Sequence, residues 1–328
     1  MSKLFISKMF FLSNEEKEII QLAVQGKTNL SEDEEQQICA EIVDSLTEDE
    51  KEIAARSSYR YMLRAISENL DQRPSKNEQF ELALQMARRH LVAAKGDKEK
   101  AMIQTKKTIQ YRKEINIDAI RRCFNKDDDE YDSQVLLNTR KKLEPLLKTG
   151  FISVVGYSKF DETLFIDRPS KIDDFSDQDA CLKANIYMFE RALASSESKT
   201  NGRKEKVIVI FDYNGVERKN VPPIDFVKTF FSILRDHYPE RLEKTYLVDA
   251  PVLFWAFFNI IKHFIDPVTT QKIRFTNGEE EKRKTFSNLF SLDQVMPFML
   301  PEGKIPPSLD MNEFLHEVPY NRTYSERN

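Results

Sequence analysis

Glycine is scarce in this 328-residue chain, eight in all, and neither G-x-G-x-x-G nor G-x-x-x-x-G-K-[ST] occurs. Both standard glycine-rich phosphate cradles are therefore absent. Cysteine is scarcer still. Cys39, Cys123 and Cys181 stand far apart without metal-ligand spacing, which argues against a disulfide framework or a metal centre and suits reduced packing thiols in a cytosolic protein. Charge of one sign is missing as well: 50 basic residues face 54 acidic ones, for a net charge of -4. No global field draws the chain to nucleic acid or to an anionic membrane, so any basic patch must be local. Lys272, Arg274, Lys282, Arg283 and Lys284 are the candidate for one. No apolar run reaches the about 20 residues of a bilayer crossing. The opening MSKLFISKMFFLSN is interrupted by lysines and lacks a small-residue cleavage site, so no secretory signal is expected. What is present is enough apolar content, 40%, for one large domain or a domain with an appended module.

Two textures divide the chain. From about Asn14 to Phe124 the spacing predicts helices only, over Glu15–Gln25, Glu32–Ser45, Glu48–Leu70, Asn77–Lys95 and Lys98–Glu114. Acidic residues crowd the first turns, as the helix dipole favours. The polar runs DQRPSKN and NKDDDEYD read as linkers, the second as the domain boundary. After it come short β-rich runs at Phe151–Tyr157, Thr163–Asp167, Lys206–Asp212, Lys244–Asp249 and Lys272–Phe275, alternating with helical segments. Continuous apolar strands such as Val207–Phe211 are covered on both faces, which predicts an α/β fold with a mostly parallel sheet under helices. The expected organisation is an acidic helical extension over 1–75, a helical subdomain over 76–125, an α/β domain over 126–320 and a tail over 321–328.

The segment Asp249 to Lys272, DAPVLFWAFFNIIKHFIDPVTTQK, stands out. Asp249 and Pro251 mark a helix start, Asp266 and Pro267 its end. Asn259, Lys262, His263 and Asp266 form one narrow polar stripe, and the remaining arc is aromatic or aliphatic. Such a helix either packs in a protein core or covers a large apolar cavity. Trp255, the single tryptophan, either packs inside or sits at the level of a polar headgroup.

From His237 to Lys272 the chain closely resembles the CRAL-TRIO lipid-binding family, in particular its phosphatidylinositol transfer proteins. The resemblance rests on YPER, a strand ending in Asp-Ala-Pro, a hydrophobic helix and DPVT-x-x-K, in order and at matching spacing. Weaker similarity at VIVIFDYNGV and KAMIQTKKTIQYRKEINIDAI extends it over about residues 77 to 300. The resemblance implies a lipid cavity gated by Pro251–Ile265, with Phe254, Trp255, Phe257, Phe258, Ile261, Phe264 and Ile265 as its wall. Extracting two acyl chains exposes methylenes at roughly 0.8 kcal/mol each, so a carrier must offset tens of kcal/mol with a dry cavity. It also implies that Glu240, Thr269 and Lys272 contact an inositol phosphate headgroup, roles their carboxylate, hydroxyl and ammonium suit. Read without it, Glu240 and Lys272 would be a surface ion pair.

Two departures qualify the family pattern. RRHLVAAKGD aligns with a motif whose phosphate-binding arginine falls on Ala94, with Lys95 a partial substitute. The positions that hold choline phosphate in phosphatidylcholine-exchanging members fall on Val207, Val209 and Leu234, so the interior should reject phosphatidylcholine. Asp167, Asp212 and Asp249 sit at strand ends, yet no nucleophile elbow, paired histidine or metal cluster accompanies them, and strand-end aspartates are more often caps. The reading is a non-enzymatic, cytoplasmic and peripherally membrane-associated carrier of a lipid, phosphatidylinositol first, with no cofactor, metal or nucleic-acid partner. The alternatives are a carrier of a sterol, terpenoid or retinoid-like molecule, and an adaptor docking a protein through residues 15–70.

Overall fold

The computed structural model describes residues 14–67, 69, 72–251, 254, 258–259 and 265–327. The helical region opens with α1 (Asn14–Val24), α2 (Glu32–Asp44), α3 (Glu48–Ala55) and α4 (Tyr59–Ala65), followed by α5 (Lys76–Ala93), α6 (Lys98–Glu114) and α7 (Ile117–Arg122). Reciprocal capping boxes start α2 at Ser31 with Glu34 and α3 at Thr47 with Glu50, satisfying otherwise orphaned N–H groups. The single helix expected from Glu48 onward is instead two. Ser58 caps α4 by accepting from the Tyr61 N–H, and its hydroxyl donates to Glu197, whose carboxylate also accepts from the Tyr59 N–H at 2.9 Å. A serine that bonds sideways offers the backbone an alternative to continuing the helix.

The extension and the following subdomain are not separate bodies. Ile42, Val43 and Ala54 from the first share one core with Ala83, Ala87 and Leu91 from the second, all with no exposure. Tyr59 and Met62 join a larger core built on the sheet, together with Ile120, Leu143 and Ile166. The acidic run expected as a linker is a folded turn: Arg122 grips the Asp128 carboxylate at 2.5 and 2.6 Å, and the Arg140 guanidinium lies 3.8 Å over Tyr131. Residues 321–327, expected as a tail, are docked. Tyr324 is buried against Phe314, and the Tyr157 hydroxyl donates to Glu326 at 2.7 Å.

After α8 (Gln134–Lys148) the chain enters a sheet that, among the described residues, has five strands in sequence order: β1 (Ile152–Tyr157), β2 (Thr163–Asp167), β3 (Val207–Asp212), β4 (Leu242–Val248) and β5 (Ile273–Thr276). Strand β1 runs antiparallel to β2, and the other pairings are parallel. The crossovers carry α9 (Gln178–Thr200) and α10 (Ile224–His237), with α11 (Pro267–Gln271) leading into β5 and α12 (Gly278–Leu289) and α13 (Met311–His316) following it. Because side chains alternate along a strand, register fixes two rows on one face: Phe165, Val209, Thr245, Ile273, then Asp167, Phe211, Leu247, Phe275. Phe189 of α9 meets Phe165 edge-on from that side. On the opposite face Tyr246 packs edge-on against Phe286 of α12.

A buried charge cluster ties the helical region to this sheet. Glu190 on α9 accepts from Arg112 of α6 at 2.7 Å and from the Tyr238 hydroxyl at 3.0 Å, with the Arg121 Nε at 3.3 Å. Burial opposes its charge, but the guanidinium groups of Arg112 and then Arg121 hold the carboxyl down to about 2.

Candidate functional site

The first sheet face is the floor of a cavity of about 1060 Å³. Phe165, Val209, Phe211, Thr245, Leu247 and Ile273 form that floor, which is why β2 to β5 are apolar at these alternate positions. Helix α10 supplies a side wall through Phe226, Val227, Phe230, Phe231 and Leu234, spaced for one helical face. Cys181, Asn185 and Phe189 of α9 complete another side.

Of the predicted gate residues, Phe254, Phe258 and Ile265 line this cavity. Phe254 is buried against Tyr213 with ring centroids 4.5 Å apart, and Phe258 meets Phe275 edge-on at 5.6 Å. Trp255, Phe257, Ile261 and Phe264 lie outside the described residues. The three positions read as rejecting choline phosphate separate in space. Val209 and Leu234 are on the lining, whereas Val207 is fully buried at the start of β3, opposite Leu242, and lies outside it. Thr245, paired in register with Val209, adds a hydroxyl-bearing residue to the floor. Sequence reasoning missed it because only strand register connects the two positions.

Glu240, Thr269 and Lys272 come together at the rim where β4 and β5 begin, and all three line the cavity. Lys272 is 7% exposed, with its Nζ 3.8 Å from the Glu240 carboxylate and donating to the Leu242 carbonyl at 3.0 Å. This is a buried pair rather than a solvated one. Burial lowers the Lys272 pKa, and the Glu240 carboxylate opposes that shift. Glu240 has a left-handed backbone with φ 57°, and its Oε2 is buried with no hydrogen-bond partner. Lys206, unflagged by sequence, stands 3.3 Å from the same carboxylate. Thr269 occupies the first turn of α11, its N–H donating to Asp266 at 2.9 Å. An ammonium, a carboxylate and a hydroxyl at the lip of an apolar chamber, with Lys206 behind the carboxylate, can take an anionic polyol headgroup while the body of the ligand stays dry.

The aligned arginine position, Ala94, is the C-cap of α5, and Lys95 beside it lines the cavity with a left-handed backbone at φ 57°. Arg89 is elsewhere, buried on Glu205 at 2.9 Å. The extension reaches the same rim. Ala23 lines the cavity, and a Cβ at Gly26 (φ +74°) would stand 3.3 Å from both Glu240 Oε2 and Lys206 Nζ. Nothing in the composition of residues 14–26 pointed there. Among the described residues, no cluster of metal-ligating side chains occurs and no helix is long and apolar enough to cross a membrane.

Comparison with known proteins agrees with this architecture. The CRAL/TRIO domain profile matches residues 147–299. Those residues form a CRAL/TRIO domain. Over 203 residues the chain is 26% identical to the phosphatidylinositol transfer protein PDR17 of Saccharomyces cerevisiae, covering 60% of this chain and 53% of that protein. It is also 26% identical over 186 residues to the Sec14 cytosolic factor of Schizosaccharomyces pombe, covering 56% and 63%. The matched region thus spans between half and two thirds of these relatives. The solved structure of Sfh5 superposes with a TM-score of 0.58 at 17% identity, over 90% of this chain and 96% of that one. At that identity the superposition establishes the fold. Outside the CRAL/TRIO domain, it extends the likeness over most of the helical region.

Proposed function

We propose that the protein binds a lipid in the cavity beneath the Pro251–Ile265 segment and exchanges it at membranes, with phosphatidylinositol the preferred phospholipid and no covalent chemistry. The observation that carries this reading is the Glu240 and Lys272 pair at the lip of an apolar chamber of about 1060 Å³, with Lys206 3.3 Å from the same carboxylate. A buried carboxylate oxygen without a hydrogen-bond donor ordinarily costs about 1–3 kcal/mol, and inositol hydroxyls are donors of the right kind. Lys272 and Lys95, both on the lining, supply the charge a phosphodiester needs. That one relative is a phosphatidylinositol transfer protein supports the same assignment.

The test is twofold. Mass spectrometry of lipid retained by the purified protein should find phosphatidylinositol enriched over phosphatidylcholine, and the protein should move labelled phosphatidylinositol between liposomes. Absence of both would overturn the reading. The adaptor alternative draws no support from residues 32–65, whose apolar side chains, Ile42, Val43, Ala54 and Met62 among them, are covered by the chain's own cores.

A further inference from the structure

Asp167 is the odd member of the three strand-end aspartates. Asp212 accepts from the Asn214 N–H at 3.1 Å, closing its own turn. Asp249 accepts from the Gly278 N–H at 3.0 Å and pairs with Lys282 at 2.8 Å. Both are turn or cap residues. The Asp167 carboxylate, by contrast, has no hydrogen-bond or ion-pair partner among the described residues, although its backbone is paired in register with Phe211. Its neighbour Arg168 turns to the other side of the sheet, donating to the Pro307 carbonyl at 2.7 Å and meeting the Met296 sulfur at 2.9 Å.

The side chain points into the cavity. Asp167 and Phe165 share a strand face, and both line the chamber together with Tyr213. Asp167 is half-buried on the lining, and burial alone pushes its carboxyl up to about 7. Burial and then the nearby Asp167 charge raise the Tyr213 pKa, and its hydroxyl too has no hydrogen-bond partner among the described residues. Phe254 covers Tyr213 from above.

Its position matters as much as its chemistry. Lys272 precedes Ile273, which shares a row with Thr245, Val209 and Phe165, so Asp167 lies three strands across and three residues along from it. With strands about 4.8 Å apart and a rise of about 3.3 Å per residue, the separation is about 17 Å. An acyl chain held by its headgroup at Lys272 would bring methylenes, not donors, to this far corner. The carboxyl is therefore no part of a phospholipid site.

We propose that Asp167, with Tyr213, is a second polar anchor that receives the hydroxyl of an uncharged, otherwise apolar ligand whose body fills the cavity. This ligand class is distinct from phospholipid, and the proposal holds or fails independently of the phosphatidylinositol reading. A site that hydrogen-bonds a ligand hydroxyl discriminates against the analogue lacking it, because its own buried polar groups are then left unpaired.

The test uses the full chain and two probes that differ by one oxygen, 1-pyrenedodecanol and 1-dodecylpyrene, each measured against its partition into phosphatidylcholine liposomes. Wild type should favour the alcohol at least about tenfold after that correction. Asp167→Leu should erase the preference while binding 1-dodecylpyrene as well as or better than wild type, which also reports an intact cavity. If Asp167→Leu loses both probes, the ratio in Asp167→Asn combined with Tyr213→Phe decides: a reduced preference supports the anchor, and an unchanged one overturns it. Equal corrected binding of the two probes by wild type, no binding of either, or a preference that survives Asp167→Leu would each overturn the proposal. Phosphatidylinositol transfer by Asp167→Leu should not be lost, in contrast to Lys272→Met, which separates this site from the lysine rim.

Discussion

Replacing Lys272 by methionine keeps the length of the side chain and removes only its charge, which makes it the sharpest probe of the rim. At 3.8 Å and an effective dielectric constant of about 20, the attraction between Lys272 and Glu240 is about 4 kcal/mol before desolvation is counted. Orphaning one member of a buried pair ordinarily costs about 3–5 kcal/mol. Lys206, 3.3 Å from the same carboxylate, shares the load, so the expected loss of stability is smaller, about 1–3 kcal/mol. Against phosphatidylinositol the variant forfeits a charge-assisted contact of about 1.5–3 kcal/mol, which predicts transfer slowed roughly 10- to 150-fold. Liposome-to-liposome transfer measures the second quantity, and urea denaturation the first. The two effects separate in the double variant Lys272→Met with Glu240→Gln. Neutralising both partners should restore most of the stability, because the one charge left, Lys206, is partly exposed and still faces Glu243 at 4.0 Å, but should leave transfer low. Transfer by Lys272→Met within twofold of wild type, or transfer that recovers in step with stability in the double variant, would refute the headgroup assignment.

Other perturbations follow from particular residues. Burial, helped by Arg89, His237 and Arg241, lowers the His90 pKa to about 3, so its contribution to stability is full above the ordinary value near 6.5 and is lost as pH falls through it toward 3. Lowering the pH from 7 to 5 should cost about 2 kcal/mol from this residue, and urea melts of His90→Gln should show that much less pH dependence. Trp255 fluorescence should change on adding liposomes, and Phe258→Asp, which places a charge among Phe254 and Phe275, should abolish the response; an unaltered response counts against a membrane-sensing gate. Val209→Thr sets a hydroxyl beside Thr245 and should raise phosphatidylcholine transfer selectively, whereas Val207→Ser, away from the lining, should not. Removing residues 1–26 uncovers Glu240 and Lys206 without touching the core of Ile42 and Leu91, and should alter phosphatidylinositol exchange rates with little loss of stability in urea.

The sheet was readable because β2 to β5 are short apolar runs between helical ones, and each strand forms within two residues of where its pattern predicts. Helix α6 forms over Lys98–Glu114 as its spacing indicates. The break before α4 was hidden because Ser58 acts through Glu197, a residue 139 positions away, and no local pattern carries such a bond. The rim was half legible. Linked motifs picked out Glu240, Thr269 and Lys272, but Lys206 and Gly26 reach the same carboxylate from segments with no motif at all. Deleting residues 1–75 is a poor way to separate a carrier from an adaptor, because the cut would bare Ala83, Ala87 and Leu91 on α5.

One sheet face sets polar groups at both of its ends and apolar ones between. Ligands of open parallel sheets ordinarily sit beyond the carboxyl ends of the strands, where loops carry the chemistry. Here the chamber lies over the face itself, and the lysine rim is at the opposite edge, where β4 and β5 begin. Asp167 and Tyr213 occupy the usual edge, at the ends of β2 and β3, and Glu217, Arg218 and Asn220 of the turn that follows also reach the lining. A headgroup at the rim leaves that corner to hydrocarbon, and a hydroxyl at the corner leaves the rim to its own ion pairs. A body long enough to span the about 17 Å between them lies across the same four strands in either case, so the two ligands must compete for the floor. Selectivity in this chain then resides in which end of a shared apolar track is anchored, and substitutions at one end should shift the balance toward the other.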